Sequence, residues 1–155
     1  MSALKGRFSG DQLEMIKGMV GGLAARLESD PNDYDGWMKL GRAYVVLENI
    51  TGAKMAYKKA IGLKSRELEP KRLLADLMTR ETNLDARLPE ELVRLASDIR
   101  ALDARQPDAL YILGLAKAQQ GDSKAARTYW QNALKELTPE SALHREITGR
   151  LAALP

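Results

Sequence analysis

Apolar residues recur at the spacing of an α-helix along most of this chain. Six prolines and twelve glycines occur, most of them where this spacing begins or ends. Asp11, followed three positions later by Glu14, is a candidate capping box for the first helix. The apolar stripe of that helix consists of Leu13, Ile16, Val20, Leu23 and Leu27. The pattern predicts an all-α fold.

Two distant segments share one pattern of small and large residues. Each has a Leu-Gly pair, then an alanine, a large aromatic residue and a second alanine at matching offsets. Small residues let two helices approach closely, and the aromatic residue fills the space between them. This is the tetratricopeptide repeat, a helix–turn–helix unit of about 34 residues. The matching positions are Leu40-Gly41, Ala53, Tyr57 and Ala60 in one segment and Leu113-Gly114, Ala126, Trp130 and Ala133 in the other.

The separation of these two segments, a little over two periods of about 34 residues, leaves room for one degenerate repeat between them. In it Leu74, Ala75 and Met78 occupy the packing positions, the turn at 81–87 is longer, and a second helix follows Pro89. Repeat proteins also need terminal helices that cover the apolar faces of the end repeats. We therefore predict a tetratricopeptide α-solenoid of three repeats, the middle one degenerate, with N-terminal and C-terminal capping helices. The predicted segments are a flexible lead-in at 1–10 and a repeat domain at 11–155, divided into an N-terminal helix at 11–30, repeats at 34–66, 68–106 and 107–138, and a capping helix at 139–153 that starts at Thr138-Pro139-Glu140.

The amino-acid composition excludes several classes of function. The 155 residues fit one domain, and they include no cysteine and a single histidine, which excludes thiolate metal sites, thiol nucleophiles and sites with two imidazoles. His144 has no evident catalytic partner. A net charge of +3 does not favour nucleic acid, and no apolar run is long enough to span a bilayer. We predict a protein that is not an enzyme and that needs no cofactor, metal or nucleic acid.

After these exclusions, the geometry of the stacked repeats is the feature from which a function can be inferred. The first helices of stacked repeats line a concave groove that suits a partner helix or an extended peptide. Gly18 and Gly22 form a separate small-residue pair, for which close packing within the domain is the preferred interpretation over contact with a partner. By helical phase, the residues predicted to line the groove are Met38, Arg42, Val45 and Val46 in the first repeat, Arg72, Asp76 and Thr79 in the second, and Tyr111, Leu115, Ala118 and Gln119 in the third.

The stretch from Met19 to Asp33, together with the stretch from Gly36 to Tyr44, resembles a specific group of proteins. Similar sequences occur in the periplasmic tetratricopeptide domain of the cytochrome c maturation family of the CcmI/CycH type. The segments 109–116 and 129–134 are similar to the last repeat of that family, and the resemblance covers residues 12–153.

This resemblance implies a non-enzymatic chaperone or adaptor. Members of the family hold unfolded apocytochrome c, largely through its C-terminal helix, and present it to components of the haem ligation complex. They carry membrane-spanning segments before this domain, so we expect a periplasmic, soluble domain whose only link to the membrane is through segments absent from this chain.

Two other interpretations remain open. A cytosolic adaptor could bind a peptide by its C-terminal carboxylate, but adaptors of that kind place lysine and asparagine where this chain has Met38 and Arg42. Arg42 could still hold a carboxylate. A purely structural scaffold is the third possibility, and it predicts no peptide binding.

Overall fold

The computed structural model describes residues 6–155, which form eight α-helices and no β-strand. None of these helices combines the length and the apolar character needed to cross a bilayer. Residues 1–5 of the predicted flexible lead-in lie outside the described residues, and its last residue, Gly10, already belongs to the first helix. The helices are α1 (Gly10–Ser29), α2 (Tyr34–Val46), α3 (Ile50–Leu63), α4 (Leu68–Glu81), α5 (Glu90–Leu102), α6 (Pro107–Gln119), α7 (Ser123–Leu134) and α8 (Ala142–Ala153).

The first and last helices do not start where the sequence predicted. The capping box of α1 is formed by Ser9 and Gln12: the Ser9 hydroxyl accepts from the Gln12 N–H at 3.2 Å, and the Gln12 side chain accepts from the Ser9 N–H at 2.9 Å. The box predicted at Asp11 is wrong, since Asp11 lies inside the first turn. The helix predicted to start at Thr138 starts instead after Ser141, whose hydroxyl accepts from the backbone of the next turn. In both cases a nearby serine satisfies the free N–H groups of the first turn.

The predicted packing of glycine against an aromatic ring is present in both well-formed repeats. The helix α2 packs against α3, and α6 packs against α7. A Cβ atom added at Gly41 would lie 2.7 Å from Cδ1 of Tyr57, and one added at Gly114 would lie 2.8 Å from Cε2 of Trp130. Both rings are almost fully buried. No side chain larger than hydrogen therefore fits at either glycine without displacing a ring.

The turn inside each well-formed repeat follows the same plan. One residue adopts a left-handed conformation, Glu48 with φ 56° in the first repeat and Gly121 with φ 80° in the third. The next residue caps the following helix: the Asn49 side chain accepts from the Gly52 N–H at 2.9 Å, and the Asp122 side chain accepts from the Ala125 N–H at 3.0 Å. The two repeats thus share a turn geometry, although only the third repeat places the favoured glycine at the left-handed position.

The described chain forms two compact units, whereas its length predicted one domain. One unit ends at Leu77 and the other begins at Met78, so the boundary falls within α4. In the first unit α1 packs on α2 and α2 on α3. In the second, α5 packs on α6, α6 on α7 and α7 on α8. Each unit therefore contains one of the two well-formed repeats, with α1 beside it in the first unit and α5 and α8 beside it in the second.

The glycine pair of α1 is exposed. A Cβ atom added at Gly18 or Gly22 would have no described atom within 4 Å beyond its own helix backbone and chain neighbours. Met15 and Met19, on the same helix, are 62% and 69% exposed. The expected packing of this pair within the domain is therefore wrong, because no described helix covers this side of α1.

Candidate peptide-binding site

In the first unit, the predicted lining residues of α2 differ in exposure. Met38 is buried at 3% exposure, Val45 is half-buried, and Arg42 and Val46 are exposed. The Arg42 guanidinium donates to a Glu69 carboxylate oxygen at 2.7 Å. Both side chains are more than half exposed, so the pair contributes little to stability and can open when another anion or cation competes. Of the four predicted lining residues of α2, Arg42 and Val46 are therefore the exposed ones.

On α4 the three predicted residues follow the spacing of one helix face. Arg72 and Asp76 are exposed in the first unit, and Thr79 is half-buried in the second. Residues three and four apart on a helix lie on the same side. The helix thus presents a polar surface at these positions, as the sequence indicated.

In the second unit, three of the four residues predicted in the third repeat lie around a single cleft. Its volume is about 290 Å³, at the lower limit for small-molecule pockets, so it suits one or two side chains of a partner better than a cofactor. The helix α8, which we had expected only to cap the fold, provides part of the lining. The cleft is lined by Leu115, Ala118 and Gln119 of α6 and by Leu84, Asp85, Trp130, Arg150, Ala153 and Leu154.

Tyr111, the fourth predicted residue of the third repeat, is a buried connection between α6 and α8. It is 4% exposed, and its hydroxyl donates to a Glu146 carboxylate oxygen at 3.0 Å and accepts from Arg150 Nε at 3.0 Å. Burial is the main reason that the pKa of Tyr111 rises to about 12. Arg150 also donates to Asp85 at 3.1 Å, beside the cleft. Tyr111 therefore positions Arg150 and is not itself accessible to a partner in this conformation.

Gln119 holds the long turn between α4 and α5. Its side-chain nitrogen donates to the Ala86 carbonyl at 2.6 Å, and its side-chain oxygen accepts from the Leu88 N–H at 3.1 Å. The turn was predicted from the repeat spacing, but its attachment to α6 was not, because the two partners are distant in sequence. By these bonds Gln119 determines the shape of one edge of the cleft.

Comparison with known proteins identifies the family. A sequence model of the family described as "Cytochrome c-type biogenesis protein H TPR domain" matches residues 10–144. The chain belongs to this family. Among curated relatives, the cytochrome c-type biogenesis protein CycH of Rhizobium meliloti is 40% identical over 87 residues, which are 56% of this chain and 22% of that protein. The CcmH protein of Escherichia coli is 30% identical over 139 residues, which are 85% of this chain and 37% of that protein.

This member of the cytochrome c-type biogenesis protein H family therefore spans about a fifth to just over a third of the length of the relatives it matches. Solved structures agree on its fold. A crystal structure of MamA superposes with a TM-score of 0.67 at 19% identity, covering 89% of this chain and 78% of MamA. The Thermus thermophilus TPR protein TTC0263 superposes with a TM-score of 0.51 at 19% identity, covering 92% and 74%. The predicted all-α tetratricopeptide solenoid is confirmed.

The cytochrome c-type biogenesis domain thus has a protein-interaction fold, and its surface fits that role. Among residues 6–155, no group of three or more histidine, aspartate and glutamate side chains is arranged to hold a metal ion. What the domain offers instead is the small cleft of the second unit and the exposed side chains of α2 and α4. The lining residues stay predictions. The accessible ones are Ala118 and Gln119 in the cleft, Arg42 and Val46 on α2, and Arg72 and Asp76 on α4.

Proposed function

We propose that this domain captures unfolded apocytochrome c through its C-terminal helix and presents it to the haem ligation machinery. The observation that carries the proposal is the family match over residues 10–144, and the protein-interaction fold supports it. The domain acts by binding alone, without catalysis or a cofactor. We further propose that it works on the periplasmic side, as part of a longer membrane-anchored protein; fractionation of the native cells tests that location.

The binding mode that we propose is a helix held by its apolar side. In the second unit, the cleft beside Ala118 receives an apolar side chain, because Leu84, Leu115 and Leu154 supply an apolar lining. Arg150, which lines the same cleft, fixes the orientation of the peptide through its charged groups. On the first unit, Arg42 and Val46, the latter 49% exposed, are separate candidate contacts.

Titration calorimetry with a synthetic C-terminal helix of a c-type apocytochrome tests this function. We expect a dissociation constant in the micromolar range or below, on the order of 8 kcal/mol of binding free energy. A scrambled peptide of the same composition is the control, because it keeps the charge and loses the apolar stripe. Absence of heat with the native peptide at about 100 µM would reject the proposal and favour a structural scaffold.

Amidation of the peptide C-terminus distinguishes this binding mode from a carboxylate clamp. The proposed cleft holds an apolar side chain of the peptide and not its terminus, so we expect the free-acid and amidated peptides to bind equally well. A carboxylate clamp would lose most of its affinity on amidation.

Paired variants test the lining. Ala118→Phe fills the cleft and should weaken capture about tenfold or more, whereas Ala101→Phe, at an exposed position of α5 outside the cleft, should not change it. Val46→Glu should weaken capture, and Met55→Glu, at an exposed position of α3, should not. Equal affinity in all four variants would show that the lining is assigned to the wrong surface.

A further inference from the structure

A second cleft lies on the second unit and shares no residue with the first. Its volume is about 540 Å³, and α5, α6 and α7 all contribute to it. Leu110, which is 3% exposed, and half-buried Ala125 give it an apolar base. None of its residues was predicted as a site from the sequence. The cleft is lined by Arg100, Ala104, Leu110, Asp122, Lys124, Ala125, Thr128, Tyr129 and Asn132.

Two of these residues are cations that have no acidic partner among the described residues. The Arg100 guanidinium lies over the Tyr129 ring, 5.5 Å from its centroid. An aromatic ring positions a guanidinium but does not neutralise it. Lys124 is exposed on α7 and forms no ion pair within residues 6–155. Both side chains therefore keep their full charge at the cleft.

Asn132 adds a donor beside these cations, whereas the Thr128 hydroxyl already donates to the Lys124 carbonyl. The Asn132 side-chain oxygen accepts from Lys135 at 3.0 Å, which leaves the amide N–H groups of Asn132 free to donate to a ligand. The one acidic residue of the cleft, Asp122, already accepts from the Ala125 N–H as the cap of α7. With Arg100 and Lys124 against this single carboxylate, the lining has a net positive charge.

We infer that this cleft binds an acidic segment of a partner protein. Carboxylates of the segment pair with Arg100 and Lys124, since a carboxylate is the acceptor that guanidinium and ammonium groups bind best. A small apolar side chain of the segment rests on Leu110 and Ala125. The inference does not depend on apocytochrome capture, because the two clefts have no residue in common.

The probe is a fluorescein-labelled eight-residue peptide of alternating glutamate and alanine, measured by fluorescence anisotropy at about 50 mM salt. We expect saturable binding that weakens at about 300 mM salt, as charge pairing at an exposed cleft requires. The same peptide with glutamine in place of glutamate should not bind. The double variant Arg100→Gln/Lys124→Gln should weaken binding of the acidic peptide about tenfold or more.

A matched control variant distinguishes binding at this cleft from a general attraction of the acidic peptide to the net positive charge of the protein. Lys39→Gln/Arg66→Gln removes one lysine and one arginine from exposed positions of the first unit and should bind the acidic peptide as the wild type does. The double variant Arg100→Glu/Lys124→Glu should instead bind a lysine–alanine peptide. Circular dichroism melting shows whether each variant is folded.

Two outcomes would overturn the inference. Equal weakening in the two glutamine variants would attribute the binding to net charge, and no binding by the wild type at about 1 mM peptide would remove the site. Calorimetry with the apocytochrome peptide is run on the same variants. Capture unchanged by Arg100→Gln/Lys124→Gln shows that the two sites are separate.

Discussion

Each well-formed repeat depends on a glycine that faces an aromatic ring. At Gly114 the ring belongs to Trp130, whose indole N–H donates to the Tyr111 carbonyl at 3.1 Å. The ring is 2% exposed and is held by that bond, so any displacement of the ring strains or breaks the bond. These volume limits are visible in the sequence because the glycine and the ring occupy constant positions in the repeat.

We predict that Gly114→Ala lowers the free energy of unfolding by about 1 to 3 kcal/mol, because the new methyl group overlaps the Trp130 ring. Gly149→Ala is the matched control on α8. A Cβ atom at that position meets no described atom within 4 Å, so the variant should gain up to about 1 kcal/mol from helix propensity. Urea unfolding measures both variants. A Gly114→Ala protein as stable as the wild type would show that the ring can shift.

Exposure at the residue level could not be predicted from helical phase alone. Phase placed Met38, Leu115 and Ala118 on one side of their helices, and the structure buries the first two while leaving Ala118 half-exposed at a cleft. The reason is physical: spacing determines the direction of a side chain, whereas its exposure depends on which other elements lie against that direction.

Among the elements, α8 has a larger role than the sequence indicated. Its apolar row predicted a cap for the last repeat, and Ile147 is indeed fully buried. The same helix carries Glu146 and Arg150, which bond the Tyr111 hydroxyl and each other. A helix that closes the core thus also lines the candidate cleft.

The Tyr111 hydroxyl provides a test of this contact. We expect Tyr111→Phe to cost about 1 to 3 kcal/mol at neutral pH, because the aromatic ring is kept and both hydrogen bonds of the hydroxyl to charged groups are lost. Tyr129→Phe is the control and should change stability by less than about 0.5 kcal/mol, since that hydroxyl forms no hydrogen bond among the described residues.

The difference between wild type and Tyr111→Phe should depend on pH. The pKa of Tyr111 rises from 10.0 to about 12 on folding, so between these values the unfolded chain loses the phenol proton while the folded chain keeps it. The retained proton therefore contributes fully to the free energy of unfolding below pH 10. This contribution, up to about 2 to 3 kcal/mol, is lost as the pH rises to about 12. Denaturant unfolding across this range measures it. A constant difference between the two proteins would contradict the assignment.

At the scale of the molecule, the chain has two compact units that meet within α4. In repeat proteins, stability is close to a sum of terms from each repeat and from its contacts with its neighbours. A destabilising substitution inside one unit should therefore lower the stability of that unit more than the stability of the other unit.

Hydrogen exchange followed by mass spectrometry tests this expectation. In Gly114→Ala we expect α6 and α7 to lose more protection than α2 and α3. Gly41→Ala, at the equivalent position of the first repeat, should give the reverse order. Equal loss of protection in all four helices would show that the chain opens as one cooperative unit.

The sequence by itself determined the helical fold class, the packing of a glycine against an aromatic ring in two repeats, and the family, because these depend on spacings and volumes that recur at regular intervals along the chain. The caps at Ser9 and Ser141 are local contacts three residues long, and Ser9 with Gln12 matches the sequence signature of a capping box that we had assigned to Asp11. Tertiary structure alone decided the open glycine face of α1 and the division into two units. It also decided both clefts, each of which is lined by residues from several separate elements. Periodic patterns specify how each repeat packs internally, whereas a cleft exists only where separate elements meet, and no local spacing encodes that meeting.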